Sequence, residues 1–306
     1  MSTFTFTSPE NVEIFARKWA SLSGPPKGAV QIAHGAAEHS QRYERFAKFL
    51  NVGGYVVYAN DHQGHGQTAL RSGKLGVAGA DAWNNFIKDA KQLTDIIRKE
   101  YPNLPIFLFG HSMGSMIAQD YMTRRGADLK GVVLCGTTGS LPNLDALVSR
   151  QEQAAQAAPH EPSTIFSQRF TTYNTPFAPG KTGFEWLSRD ESEVEKYVAD
   201  PLCGFVFSNG LACDYLKGLR ELWKTEKEAR IPKDLPVLVI SGDKDPVGGN
   251  TQAIIPLLKR YKSCGIKNLS HKFYLNARHE LLNEINRDEV QQEVLAWLNK
   301  WCETRG

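Results

Sequence analysis

Apolar and polar residues alternate in residues 3–7 (TFTFT) and 12–19 (VEIFARKW). That pattern predicts two short strands pairing antiparallel at the N-terminus. Further along, alternation gives way to short unbroken apolar runs: AVQIAH (29–34), YVVYAND (55–61), PIFLF (105–109) and GVVLCG (131–136). Such runs suit strands buried on both faces. Between them, residues from His39 to Leu50 read as a helix. In residues 83–101, Trp83, Phe86, Ile87, Ala90, Leu93 and Ile97 recur at the three- and four-residue spacing of an amphipathic helix. Another helix is expected from Ser112 to about Arg125. LPVLVISGD (235–243) and HKFYLNA (271–277) resume the strands, and Val290, Val294, Trp297, Leu298 and Trp301 mark a closing helix. Strands alternating with helices imply an α/β fold, a mostly parallel, doubly wound sheet covered on both sides.

Residues 138–232 interrupt this rhythm. They are richer in polar residues and helix formers, and they carry Phe166, Phe170, Phe177, Phe184, Trp186, Phe205 and Phe207. The expected organisation is therefore a core of residues 1–137 and 233–306 with a mainly helical cap at 138–232. The cap should lie over the carboxyl ends of the strands, where open α/β sheets bind ligands. Phe166, Phe170, Phe177, Trp186, Phe205 and Phe207 are candidate pocket residues, although aromatics of a small insertion also serve as its own core.

Composition narrows the function classes. The 306 residues are 41% hydrophobic and 23% charged, with a net charge of +3 and no dense lysine or arginine block, so nucleic acid is not an expected partner. No apolar run reaches the length of a membrane span, and the N-terminus lacks a basic start followed by an apolar stretch. A cytoplasmic protein is expected, touching membranes at most transiently through the cap. Cys135, Cys203, Cys213, Cys264 and Cys302 are scattered, without a C-x-x-C pair. They read as reduced packing thiols, not a disulfide frame or zinc site.

The candidate chemistry begins at Gly110-His111-Ser112-Met113-Gly114, directly after an apolar run. A serine between glycines on a strand-to-helix turn has its hydroxyl pushed into a cleft, the G-x-S-x-G nucleophile elbow of acyl transfer. Such a serine needs a base, and the base needs an acid to fix its tautomer. On this architecture the acid and then the base follow the serine in the chain. Of the downstream histidines, His160 falls in the cap, His271 at a strand start, and His279 in the loop after the last strand; His279 is the candidate base. SGDKDPV offers Asp243 and Asp245 as acid. Asp243 suits a turn-holding role by side-chain bonds to backbone, and Asp245, further out, is preferred. Oxyanion donors are expected at the N–H of Met113, aided by its helix N-terminus, and in the His34-Gly35-Ala36 loop, with Ala36 favoured over Gly35. Asp61, His62 and His65 in DHQGHG could suggest a metal site, but their flanking glycines favour a hydrogen-bonded turn. His39 is expected as a structural residue at a helix start, with lining the pocket as the alternative.

With these residues in place, the chain resembles the α/β-hydrolase superfamily, and within it the monoacylglycerol lipases and lysophospholipases. The matching segments are HGAAEHSQRY (34–43), NDHQGHGQT (60–68), GHSMGS (110–115), SGDKDPVG (241–248) and ARHELLNE (277–284), and WLSRDESEVEKYVADPLCGF (186–205) is similar to bacterial members. The resemblance implies Ser112 as nucleophile, Asp245 as acid, His279 as base, and Ala36 and Met113 as oxyanion donors. No metal or organic cofactor is implied. The expected activity is hydrolysis of a small-molecule carboxylic ester, such as a monoacylglycerol, a lysophospholipid or another small or medium-chain ester. An aminopeptidase or amidase using the same triad is the alternative; it calls for an acidic subsite, for which Glu191, Glu193 and Glu195 are available. A non-catalytic ligand-binding protein on the same scaffold is a remoter alternative.

Overall fold

The computed structural model describes residues 1–21 and 23–303. Its strands are β1 (Ser2–Thr7), β2 (Glu13–Trp19), β3 (Gly28–Ala33), β4 (Tyr55–Asn60), β5 (Ile106–His111), β6 (Gly131–Cys135), β7 (Val237–Gly242) and β8 (Leu269–Tyr274). They form one sheet in the order β1-β2-β4-β3-β5-β6-β7-β8. β1 pairs antiparallel with β2, and β2 with β4. From β4 to β8 every pairing is parallel. The helices are α1 (Glu44–Val52), α2 (Gly66–Ser72), α3 (Ala82–Glu100), α4 (Met113–Arg125), α5 (Leu144–Ala157), α6 (Thr164–Asn174), α7 (Glu191–Ala199), α8 (Asn209–Leu222), α9 (Thr225–Glu228), α10 (Ile254–Ser263) and α11 (Arg287–Glu303).

Both faces of the sheet are covered, which explains why its strands read as unbroken apolar runs. Successive side chains point to opposite faces. Ile106 and Leu108 pack with Trp83 and Phe86 of α3, Met116 and Ile117 of α4 and Leu257 of α10. Phe107 and Phe109 face the other way, towards Phe46 and Leu50 of α1 and Val294 and Leu298 of α11. Two elements differ from expectation. The segment after His39 begins as a 3-10 turn, Ser40–Tyr43, before α1. β8 starts two residues early and ends at Tyr274. It is an edge strand in which Ser270 and His271 are exposed and only Tyr274 is fully buried, so hydrophobicity alone places its start too late.

Between β6 and β7 the described residues hold α5 to α9 and no strand of the sheet. α8 lies against α3 and α5, and its Leu211 and Leu219 join the core cluster of α3 and α4. The 186–187 turn is tied to the β8–α11 loop, because His279 N donates to Trp186 O (3.3 Å) and Glu280 N to Leu187 O (2.7 Å).

Candidate active site

The elbow stands at the centre of the sheet. β5 has β3 and β6 as neighbours, so the loops leaving those strands flank Ser112. Ser112 adopts φ 52°, ψ −123°, a conformation that costs a non-glycine residue strain. Its N–H donates to Cys135 O of β6 at 3.0 Å, and its own carbonyl accepts from Ser115 N at 2.8 Å. The flanking glycines are required by close approach. A Cβ on Gly110 would lie 2.3 Å from Gly114 O, and one on Gly114 only 2.0 Å from Ala33 O. Met113 opens α4, where the first N–H groups lack intrahelical partners.

The loop after β3 abuts this turn, since a Cβ on Gly35 would meet Ser112 Cβ at 3.1 Å. Gly35 N–H is already committed, donating to Glu38 Oε1 at 2.6 Å. The same carboxylate oxygen accepts from Tyr43 OH (2.7 Å), and Oε2 from Arg42 Nη1 (2.6 Å). Arg42 also donates to both oxygens of Glu280, at 2.6 and 2.8 Å. Burial would raise the Glu280 carboxyl, but the Arg42 charge holds it down at about 2. The Ala37 carbonyl accepts from Tyr197 OH (3.0 Å) and Gly204 N (2.9 Å).

Asp245 and His279 come together from the loops after β7 and β8. His279 Nδ1 lies 3.0 Å from Asp245 Oδ1 and 2.9 Å from Oδ2, with both side chains buried. An ionised carboxylate only accepts, so Nδ1 carries the proton and Nε2 is left basic. Asp245 also accepts from Val247 N (2.9 Å) and Ser241 Oγ (3.3 Å). Burial lowers the His279 imidazole, yet the charge and hydrogen bond of Asp245 outweigh it and leave the ring above its ordinary value. His111, 4.8 Å away ring to ring, is pushed down to about 4 by burial and by His279. Asp243 sits elsewhere and accepts from Asn276 N at 2.7 Å, holding the turn after β8.

Gly35, Ala36, Ser112, Met113 and His279 border one cleft. Of the six candidate aromatics, Phe166, Phe170 and Trp186 line it. Phe177, Phe205 and Phe207 do not. Phe177 lies under the Arg278 guanidinium at 4.4 Å. Phe207 is wholly buried, stacked on Phe166 at 4.0 Å, and together with Phe205 it packs against His65. Sequence reasoning missed Tyr173, Tyr197, Tyr215 and Arg169, which also line the cleft. It weighed only phenylalanine and tryptophan, although tyrosine presents an aromatic face of the same kind. It also gave no role to Glu38, Arg42 and Glu280, whose signal was acidic and basic residues inside matched segments.

The histidines of DHQGHG form a buried cluster with His34. The His34 ring is 4.1 Å from that of His62 and 5.3 Å from that of His65, and His62 N donates to His34 Nε2 at 3.0 Å. Asp61 braces the neighbouring turn, accepting from Ser40 N (2.8 Å) and Gln67 N (2.7 Å). His39 precedes the 3-10 turn, as expected of a helix start, and its Nε2 lies 2.9 Å from Asp200 Oδ2. Among the described residues, His39, Asp200 and Cys203 are the one trio whose ligand atoms could share a metal ion, but the His39–Asp200 contact is complete as a hydrogen bond. Glu193 pairs with Arg45 and Lys196, Glu191 pairs with Lys181, and none of Glu191, Glu193 and Glu195 lines the cleft.

A mostly parallel eight-stranded sheet with these loops at its carboxyl ends defines an α/β-hydrolase. Residues 24–286 match the family described as Serine aminopeptidase, S33, and the chain belongs to that family. It is similar to the monoglyceride lipase of Mus musculus, 31% identical over 295 residues covering 95% of this chain and 87% of the relative. The monoacylglycerol lipase of Mycolicibacterium smegmatis is 30% identical, with 97% of this chain and 96% of the relative covered. A thermostable carboxyl esterase from Bacillus coagulans, solved in complex with glycerol, superposes with a TM-score of 0.92 at 31% identity, covering 98% of both chains. The chain is a carboxylic ester hydrolase.

Proposed function

We propose that the protein hydrolyses monoacylglycerols and related monoacyl esters through an acyl-enzyme formed on Ser112. The observation that carries this reading is the buried Asp245–His279 pair on the same cleft as Ser112. Ser112 Oγ attacks the ester carbonyl while His279 Nε2 takes its proton. The oxyanion rests on the N–H groups of Ala36 and Met113; Gly35 N–H, spent on Glu38, leaves Ala36 as the donor from its loop. His279 then protonates the departing alcohol, and water activated by the same ring releases the fatty acid.

Residues 138–232 act in this reading as the cap, with Phe166, Phe170 and Trp186 offering apolar surface to the acyl chain. The monoglyceride and monoacylglycerol lipases among the relatives support the substrate class. Against an aminopeptidase, the two carboxylates bordering the cleft, Glu38 and Glu280, are both engaged by Arg42 and offer little to an α-ammonium group. Among the described residues, no helix is long and apolar enough to cross a membrane. A cytoplasmic location is part of the proposal, supported by five free thiols. Labelling with a fluorophosphonate tests the reading. Wild-type protein should be modified at Ser112, and Ser112→Ala should lose labelling and at least ~10³-fold of its turnover of a p-nitrophenyl ester. Unchanged turnover in Ser112→Ala would overturn it.

A further inference from the structure

One positive charge in the cleft has no role in the chemistry above. Arg169, on α6, lines the same cavity as Ser112 and His279. Its Nη1 donates to Tyr173 OH at 3.0 Å, and its guanidinium carbon lies 6.0 Å from the Tyr173 ring centroid. Among the described residues it meets no carboxylate. Arg42, Arg45, Arg189 and Arg287, by contrast, each meet one at 3.0 Å or closer. A guanidinium presents five donors in a planar fork suited to phosphate or carboxylate oxygens, and one neutral hydroxyl leaves most of that capacity unused.

A second observation points to a ligand at this place. Trp186, only 3% exposed, lines the cleft, and its Nε1–H is buried without a hydrogen-bond partner. A buried donor left unpaired is costly, and native structures seldom tolerate one. The Trp186 ring lies 5.1 Å from that of Tyr173 and 4.9 Å from that of His279. Arg169, Tyr173 and Trp186, all lining the cavity, thus follow one another in contact, and the Trp186 ring links them to His279.

We propose that Arg169, with the Tyr173 hydroxyl and the Trp186 Nε1–H, forms an anion subsite that selects monoacyl esters bearing a phosphate or carboxylate remote from the scissile bond. This rests on the ester-hydrolase reading and sharpens it. Neutral monoacylglycerols would still fit the aromatic wall, but a substrate with terminal anionic oxygens would also satisfy donors that the protein leaves open.

The test compares three esters of matched chain length with the full chain: a neutral monoacylglycerol, the corresponding lysophosphatidic acid, and a glycerol monoester whose acyl chain ends in a carboxylate. Wild-type protein is expected to show the higher kcat/KM for at least one anionic ester. Preference for the phosphate would put the anion on the alcohol side, and preference for the carboxylate would put it at the acyl end. Arg169→Gln should cut the anionic-to-neutral ratio by about 10- to 100-fold, mainly through KM, the scale of a charge-assisted hydrogen bond. Arg169→Lys, which keeps the charge and loses the fork, should recover part of that ratio. Turnover of the neutral ester without anionic preference, or a ratio unmoved by Arg169→Gln, would overturn the subsite alone. Absence of turnover on all three esters would overturn the ester-hydrolase reading and the subsite with it.

Discussion

Asp245 grips His279 with both carboxylate oxygens at nearly equal distance, 3.0 and 2.9 Å from Nδ1, inside a pair that is almost wholly screened from solvent. Two acceptors on one N–H fix both the tautomer and the plane of the ring. Asp243, two residues earlier, is bonded to the Asn276 amide and does not touch the imidazole in any bond of the site.

Replacing each aspartate by asparagine separates these roles. Asp245→Asn preserves shape but can present an amide donor to Nδ1, favouring the wrong tautomer, and kcat should fall by roughly 10⁴-fold, as in other serine triads. Asp243→Asn should cost far less activity and appear mainly as a lower melting temperature. Steady-state kinetics on a p-nitrophenyl ester checks both; equal losses would remove Asp245 from its assigned role.

The pH profile follows from the same pair. Burial depresses the His279 imidazole, Asp245 more than compensates, and the net displacement is upward. The proposed mechanism needs the neutral ring, so kcat/KM should fall on the acid side with a midpoint above the ordinary histidine value of about 6.5. His111, held at about 4, stays neutral through this range and should add no second inflection. A midpoint below about 6.5 would contradict the arrangement.

Acid should also weaken the fold through the histidines that do no chemistry. Burial is the leading cause that holds His62 at about 3 and His65 and His111 at about 4, with His34 also pushed well down. In the unfolded chain all four titrate near 6.5, so below that value unfolding takes up protons that the folded protein refuses. Stability is therefore lost as pH falls from about 6.5. Asp89 opposes this, because burial raises its folded value to about 7 and the folded protein holds that proton. His279 adds no slope there, since its raised folded value leaves it protonated in both states. The net uptake of about three protons predicts a loss on the order of 4 kcal/mol per pH unit between about pH 6 and 5. Urea unfolding across that interval measures the slope, and His62→Gln should flatten it by about one proton.

The strands and the order of the site were legible because their signals are local. Apolar runs, paired glycines and the sequence of loops each reflect a constraint within a few residues. Phe177, Phe205 and Phe207 were not separable from Phe166 and Phe170, because all five are aromatics of one insertion, and which of them faces the cleft depends on how α6, α8 and the 205–207 segment pack. Phe166 and Phe207 stack on each other, yet one lines the cavity and the other fills the space behind it. The Arg42 network was hidden for a related reason. Glu38 and Glu280 are separated by most of the chain, and their common partner emerges only when the loops after β3 and β8 converge.

That shared partner has a mechanical consequence. One guanidinium clasps the carboxylate anchoring the loop that bears Ala36 and the carboxylate beside His279, so the two loops are joined by a rigid strut instead of by the sheet alone. Displacing either loop alone would break charge-assisted hydrogen bonds that hold the other. The spacing across the cleft is thereby tied to a planar cation of fixed dimensions that bridges the two turns.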